Sequence, residues 1–172
     1  MKVYIGIGSN IRPKENIRQA LVMLKEKVHV NAVSSFYRTM PLEGREQNRY
    51  INGVAKIETD YTAYSLKYSI LRLIEEKMGR KRSGNAYASR EIDLDILLYE
   101  NQIIQEDGIV VPDPDILKRN FLAVPLRELD KDLMIPGNEG KDIEAVASLM
   151  DTSDMYFEKE FTQLIRKEIM HE

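Results

Sequence analysis

The stretch Glu91-Ile92-Asp93-Leu94-Asp95-Ile96-Leu97-Leu98-Tyr99 alternates apolar and acidic residues before it closes on an apolar run. A period of two predicts a strand over 91–99, with Ile92, Leu94, Ile96 and Leu98 on one face and Asp93 and Asp95 on the other. Upstream, Lys2 to Ser9 alternates in the same way through Val3, Ile5 and Ile7 and ends in the turn Gly8-Ser9-Asn10. Pro13 suits a first helical turn, and Ile17, Ala20, Leu21 and Leu24 form one apolar stripe of a helix reaching about Lys27. Val28 to Thr39 and Tyr50 to Thr59 are rich in β-branched and aromatic residues and read as strands, separated by a polar loop over 40–49. Thr62 opens a second helix with the stripe Leu66, Ile70, Leu73 and Ile74, and Gly79 ends it. The order is β-α-β-β-α-β, the split βαβ arrangement of an α+β, ferredoxin-like sandwich. Helices on one face of its sheet would leave the other face for a ligand.

The remainder is less regular. Ile103–Ile104 and Ile109 to Val111 suit a small hairpin about Asp107-Gly108, and Pro112-Asp113-Pro114-Asp115 suits a turn capping a short helix. Asn120 to Leu126 reads as a further strand segment, and Asp142 to Met150 and Tyr156 to Met170 as helices. With no repeat or linker in view, the expectation is one domain over 1–172: a core of about 1–127 and a helical C-terminal extension of about 140–172.

Composition narrows the chemistry. Among 172 residues there is no cysteine, so disulfides, thiolate catalysis, thiolate zinc sites and iron–sulfur clusters are excluded. Two histidines, His29 and His171, are too few for a histidine-built metal site. No run approaches a membrane span, and Gly6, Gly8, Ser9 and Asn10 interrupt the N-terminal apolar stretch too early for a signal peptide, so a cytoplasmic protein is expected. The net charge of −3 argues against broad binding to nucleic acid or to a membrane surface.

That charge is unevenly spread. The window Gly79 to Arg90 carries +4 through Arg80, Lys81, Arg82 and Arg90, leaving −7 on the rest of the chain. A cationic loop running directly into Glu91, Asp93 and Asp95 suits a small polyanion met together with a metal cation; charge alone fits a solvated loop with compensating ion pairs equally well. On strand geometry the Asp93 and Asp95 carboxylates lie roughly 6–7 Å apart on one face, where hard oxygen donors can share Mg²⁺. Tyr50 and Asn52, two apart, point to one side of their strand, and Phe121 follows Arg119 and Asn120. Ring faces and an amide would serve a flat heteroaromatic ligand, although each residue taken singly favours packing over recognition, Phe121 above all.

In order and spacing, these residues resemble the 6-hydroxymethyl-7,8-dihydropterin pyrophosphokinases of folate biosynthesis. The resemblance rests on Gly8-Ser9-Asn10, Ser34-Ser35-Phe36-Tyr37-Arg38-Thr39 with Pro41-Leu42, Tyr50-Ile51-Asn52, Glu75, Gly79-Arg80-Lys81-Arg82, Arg90 to Leu97, Arg119-Asn120-Phe121 and Pro125-Leu126. It implies the ferredoxin-like fold, and transfer of pyrophosphate from ATP, the co-substrate, to the pterin hydroxymethyl group, leaving AMP. It further implies that Asp93 and Asp95 hold two Mg²⁺ ions, with Arg80 and Arg90 joining them as catalytic residues. Glu75, Arg80, Arg82, Tyr87, Arg90, Ile96 and Arg119 would bind ATP. Thr39, Leu42, Tyr50, Asn52, Asp93 and Phe121 would bind the pterin, its ring held between Tyr50 and Phe121. A monomer with no nucleic-acid or membrane partner is expected.

Three departures stand out. Tyr87-Ala88-Ser89-Arg90 replaces the family's usual Trp-Gly-Pro-Arg, Asp113 follows Pro112 where a histidine is common, and Met40 and Glu43 replace small or proline residues. A related enzyme with another acceptor, or a pterin-binding homologue without activity, would carry the same residues.

Overall fold

The computed structural model describes residues 1–39, 49–80, 90–138 and 141–171. Its centre is β1 (Lys2–Ser9), which pairs antiparallel with β4 (Tyr50–Glu58) on one side and β5 (Asp93–Tyr99) on the other. Beyond β4 lie β2 (His29–Val33) and β3 (Tyr37–Thr39), and β3 in turn pairs with β8 (Tyr156–Phe157). With α1 (Pro13–Lys25) and the second helix, α2 (residues 63–77), the order is the expected βαββαβ sandwich.

The expected strand over 28–39 is therefore two strands. The interruption at Ser34–Phe36 has a packing cause: Ser34 Oγ accepts the Val54 amide at 2.8 Å, and Phe36 turns its ring inward to meet Phe161 edge-on, with centroids 5.3 Å apart.

Helix α2 covers 63–77 in three parts: Ala63–Ser65, a π-helical turn Leu66–Leu71, and Arg72–Lys77. Thr62 caps it, its Oγ1 accepting the Ser65 amide at 3.1 Å. The wider π turn moves the buried stripe by about one residue. Leu71 is buried in place of the expected Leu73, which is 40% exposed, and Glu75 rotates inward beside Ile74.

A bulge in β5 changes the other expectation. Ile5 pairs with Ile96 but Tyr4 with Leu98, so Leu97 is the extra residue. Leu98 consequently shares the face of Tyr4, and Tyr99 takes the place beside Val3 that strict alternation would give to Leu98. The strand also begins at Asp93 rather than Glu91.

The first face of the sheet is closed by apolar packing: Val3, Ile5, Ile7, Ala55 and Ile57 meet Ile17, Leu21 and Leu24 of α1 and Leu66, Ile70 and Leu71 of α2. The second face is only half open, a correction to the sequence reading. Residues 120–126, expected as a strand, belong to helix α3 (Asn120–Leu129). Pro125 lies inside it and masks a helical spacing of Leu122, Leu126 and Leu129. Ala123 and Leu126, with Ile143 and Ala147 of α4 (Ile143–Ser148), pack over Tyr4, Val54, Leu97 and Leu98. The hairpin of β6 (Ile104–Glu106) and β7 (Ile109–Val111) forms as expected, and Asp113 caps the short 3₁₀ turn Pro114–Leu117 through the Asp115 amide at 2.9 Å. In the C-terminal stretch, Tyr156–Phe157 extends the sheet before α5 (Lys159–Met170) packs onto the first face through Phe161, Ile165 and Ile169, so the extension is not helical throughout.

Candidate active site

The uncovered half of the second face is a cavity of about 270 Å³. Its floor comes from alternate residues of three strands: Gly6 and Gly8 of β1, Asn52 of β4, and Asp93 and Asp95 of β5, with Gly8 opposite both Asn52 and Asp93 and Gly6 opposite Asp95. The glycines make the space. A Cβ at Gly8 would stand 2.6 Å from Asn52 Oδ1, closer than such atoms approach. Tyr50, Phe121, Leu122 and Leu97 supply apolar wall, and Arg90, Asp113 and Asp115 supply charge.

Turns on either side of the floor fix these groups. Buried Asn10 accepts the Arg90 amide on Oδ1 at 2.7 Å and donates its own amide to the Arg90 carbonyl at 3.2 Å, while Ser9 Oγ donates to the Glu91 carbonyl at 2.5 Å. The loop carrying Arg90 is thus fastened to the end of β1. Arg90 Nη1 then meets Asp93 Oδ2 at 2.8 Å. Arg80 Nη1 lies 2.8 Å from both Asp93 Oδ1 and Glu75 Oε1. Glu75, turned inward by the π turn, also accepts the Leu94 amide at 2.9 Å. Asn52 Nδ2 donates to Thr39 Oγ1 at 2.9 Å, which leaves Asn52 Oδ1 beside Gly8.

Asp95 is different. It has no hydrogen-bond or ion-pair partner among the described residues; its backbone lies in β5, while its side chain is exposed to the open cavity. Burial, with the charges of Asp93, Asp113 and Glu75 added, pushes its carboxyl up to about 8, against which Arg80 works only weakly. Asp113 is raised too, chiefly by burial. The cavity holds more negative charge than its arginines balance.

That imbalance and the donor chemistry fit a hard divalent cation. Among the described residues no group of three or more acidic or histidine side chains could enclose one. Asp93 and Asp95 alone offer part of a coordination shell, the situation in which Mg²⁺ takes its other ligands from phosphate oxygens and water.

A second cavity of about 190 Å³ lies along the edge of β5, between α2 and the β6–β7 hairpin, lined by Lys67, Leu94, Ile96, Gly108, Ile109 and Val110. Asp95 and Asp113 border both cavities.

Of the residues singled out in the sequence, Tyr50, Asn52, Arg90, Asp93, Asp95 and Phe121 share the first cavity, and Ile96 lines the second. Thr39 and Arg80 stand behind the first, bonded to Asn52 and Asp93, which line it, and Glu75 stands one step further back, holding Arg80 and the Leu94 amide. Arg119 precedes α3 and lines neither cavity; its Nε is buried without a hydrogen-bond partner among the described residues. Leu42, Arg82 and Tyr87 lie outside the described residues. The sequence reading missed the structural work of Ser9 and Asn10, and treated Asp113 as a departure and Asp115 as part of a turn, not as cavity residues. Buried polar side chains at a strand's end were the available signal.

The sequence profile of 7,8-dihydro-6-hydroxymethylpterin-pyrophosphokinase (HPPK) matches residues 4–131, which include every residue of both cavities. The chain belongs to this family. A relative from Haemophilus influenzae named 2-amino-4-hydroxy-6-hydroxymethyldihydropteridine pyrophosphokinase is 40% identical over 139 residues, 79% of this chain and 86% of the relative. A relative of the same name from Bacillus subtilis is 35% identical over 129 residues, 73% of this chain and 76% of its own. Among solved structures, an HPPK-DHPS in complex with substrates superposes with a TM-score of 0.68 at 13% identity over 86% of this chain, and a Plasmodium falciparum HPPK-DHPS triple mutant with pteroate does so at 0.64 and 10% over 97%. At those identities the likeness bears on the HPPK fold alone. This chain spans less than half of each of those chains, 43% and 44%.

Proposed function

We propose that this chain transfers pyrophosphate from ATP to the hydroxymethyl group of 6-hydroxymethyl-7,8-dihydropterin, giving AMP and the pterin diphosphate. The observation that carries the reading is the first cavity: a carboxylate pair on a glycine floor, an amide and two aromatic rings within one enclosed space.

In this reading Tyr50 and Phe121 hold the faces of the pterin ring, and Asn52, kept in orientation by Thr39, meets its hydrogen-bonding edge. The nucleoside enters the second cavity against Ile96, so the triphosphate crosses the strip bordered by Asp95 and Asp113. Asp93 and Asp95 would hold two Mg²⁺ ions, which when bound neutralise phosphate oxygens and lower the pKa of a coordinated hydroxyl. Arg80 and Arg90 both rest on Asp93; were Asp93 to hold a cation, the two guanidinium groups would be released to meet the triphosphate. Glu75 keeps Arg80 within reach through that exchange. We assign Arg82, Tyr87 and Arg119 to the nucleotide and Leu42 to the acceptor, as the family resemblance implies. The pterin oxygen attacks the β-phosphorus in line, the bond to the α-phosphate oxygen breaks, and AMP departs. No side chain becomes covalently modified, which suits a chain without cysteine; positioning and electrostatics carry the rate. We assign the whole chain to one domain acting as a monomer in the cytoplasm, with no nucleic-acid partner, a reading its net charge of −3 supports. Among the described residues no helix is long and apolar enough to cross a membrane.

The test is to incubate the protein with ATP, Mg²⁺ and the hydroxymethyldihydropterin and identify the nucleotide released. AMP in step with pterin diphosphate is expected; ADP, or no acceptor-dependent product, contradicts the reading.

A further inference from the structure

The segment 151–158 lies beyond the stretch the HPPK profile matches, yet it touches both sides of the acceptor cavity from outside. At one end, Asn120, the residue before Phe121, donates through Nδ2 to the Asp151 carbonyl at 2.9 Å and to Asp154 Oδ1 at 2.7 Å. At the other, Tyr156 and Phe157 pair with Arg38 and Tyr37 of β3, and the Phe157 and Tyr37 rings lie 5.9 Å apart. The Arg49 guanidinium, one residue before Tyr50, stands 5.4 Å from the centre of the Tyr156 ring. Glu158 then closes the connection: its amide donates to the Phe36 carbonyl at 2.9 Å, and its carboxylate takes Arg38 Nε at 2.7 Å. Between the ends the backbone is itself fixed. Asp151 Oδ1 accepts the Ser153 amide at 2.9 Å, and the Thr152 carbonyl accepts the Met155 amide at 3.0 Å.

Packing does not require this arrangement. Asp154 and Tyr156 are exposed, whereas the apolar anchoring of the C-terminal stretch comes from Phe161, Ile165 and Ile169 further on. The segment joins the flanks of Tyr50 and Phe121 at the cavity rim; deeper in the face the two walls are joined by α3 packing on β4, Ala123 and Leu126 against Val54.

We propose that residues 151–158 form a brace that sets the spacing of the two aromatic walls and thereby tunes affinity for the acceptor ring, with Asp154 and Tyr156 as positioning residues. The proposal rests on the reading of the first cavity as the acceptor site. A brace of this kind acts on acceptor binding and leaves nucleotide binding, which uses the other side of β5, nearly untouched.

The experiment measures the Kd of 6-hydroxymethylpterin by its own fluorescence, the Kd of a non-hydrolysable ATP analogue with Mg²⁺, and Tm, for the wild type, Asp154→Leu, Asp154→Asn and Tyr156→Ala. Losing one charge-assisted hydrogen bond should weaken acceptor binding about fivefold in Asp154→Leu. Asp154→Asn, which keeps an accepting oxygen for Asn120, should restore most of it, and Tyr156→Ala should weaken it about threefold. Nucleotide affinity and Tm should stay close to wild type throughout. Unchanged acceptor affinity in Asp154→Leu, or acceptor and nucleotide affinity falling together with Tm, overturns the brace; should Asp154→Leu fail to fold, Tyr156→Ala decides in the same terms. A wild type that binds no pterin defeats the reading of the cavity instead.

Discussion

The two faces of β1 are made by the same eight residues and could hardly differ more. Val3, Ile5 and Ile7 point to one side, where α1 and α2 exclude water; Tyr4, Gly6 and Gly8 point to the other, where α3 and α4 cover Tyr4 and the glycines sit beside Leu97 and Asn52 in the floor of the cavity, in register with Asp93 and Asp95. The difference teaches where this chain gives up packing to hold chemistry. One face stabilises the sheet through apolar burial. The other leaves side chains out and spends the vacant space on a charged cavity.

Substitutions on the two faces should therefore fail in different ways. The largest effect is expected for Asp95→Ala, which removes a cation ligand from the open face: turnover should fall on the order of 10³-fold or more while Tm holds or rises, because a carboxylate crowded by Asp93, Asp113 and Glu75 is lost. Steady-state AMP formation and thermal melting check both halves. Turnover near wild type would break the contrast.

On the closed face, Leu71→Ala should cost about 2–5 kcal/mol of stability and leave acceptor and nucleotide affinities alone, whereas Leu73→Ala, two residues on, should cost less than about 0.5 kcal/mol. Urea unfolding of the pair tests the π turn itself; equal losses would mean an unbroken α-helical stripe.

Gly8→Ala should spare most of the stability and weaken pterin binding by about tenfold, because the new methyl group displaces the Asn52 amide. Pterin titration checks it, and unchanged affinity would mean that the floor has more room than its geometry allows.

The smallest effect is one of pH. Asp95 is held protonated well above the usual carboxylate range. A cation must displace that proton, so apparent Mg²⁺ affinity should rise about fivefold between pH 7 and 8 and level off above. The metal-free protein should move the opposite way. Its unfolded chain releases this proton in the ordinary carboxylate range and the folded chain only near 8, so this group's contribution to stability is present at low pH and is lost as pH climbs through that window. Calorimetric Mg²⁺ titrations and urea melts across the range test the two slopes, and Asp95→Asn should flatten both.

How much of this was legible follows from what local pattern can carry. Alternation in β1 and β5 and the helical stripe of α1 specify the sandwich, because each repeats over enough residues to define a face. Single-residue irregularities do not announce themselves. The Leu97 bulge reversed Leu98 and the π turn exchanged Leu73 for Leu71, in both cases because one extra residue changes a face without changing composition. Helix α3 was hidden by Pro125, which reads as a breaker although its neighbours keep helical spacing. For the site, Asp93, Asp95, Tyr50 and Asn52 were legible from strand parity, and Phe121 from resemblance. Ser9, Asn10 and Asp113 act through turns that bring distant backbone together, and no periodicity in the sequence records that.

The most direct test of the charged face is to count cations. Titrating Mn²⁺ into the protein with a non-hydrolysable ATP analogue and 6-hydroxymethylpterin, and following free Mn²⁺ by electron paramagnetic resonance, should give two ions per chain for the wild type and fewer for Asp95→Asn. Equal uptake by the two proteins would place the ions elsewhere and contradict the account.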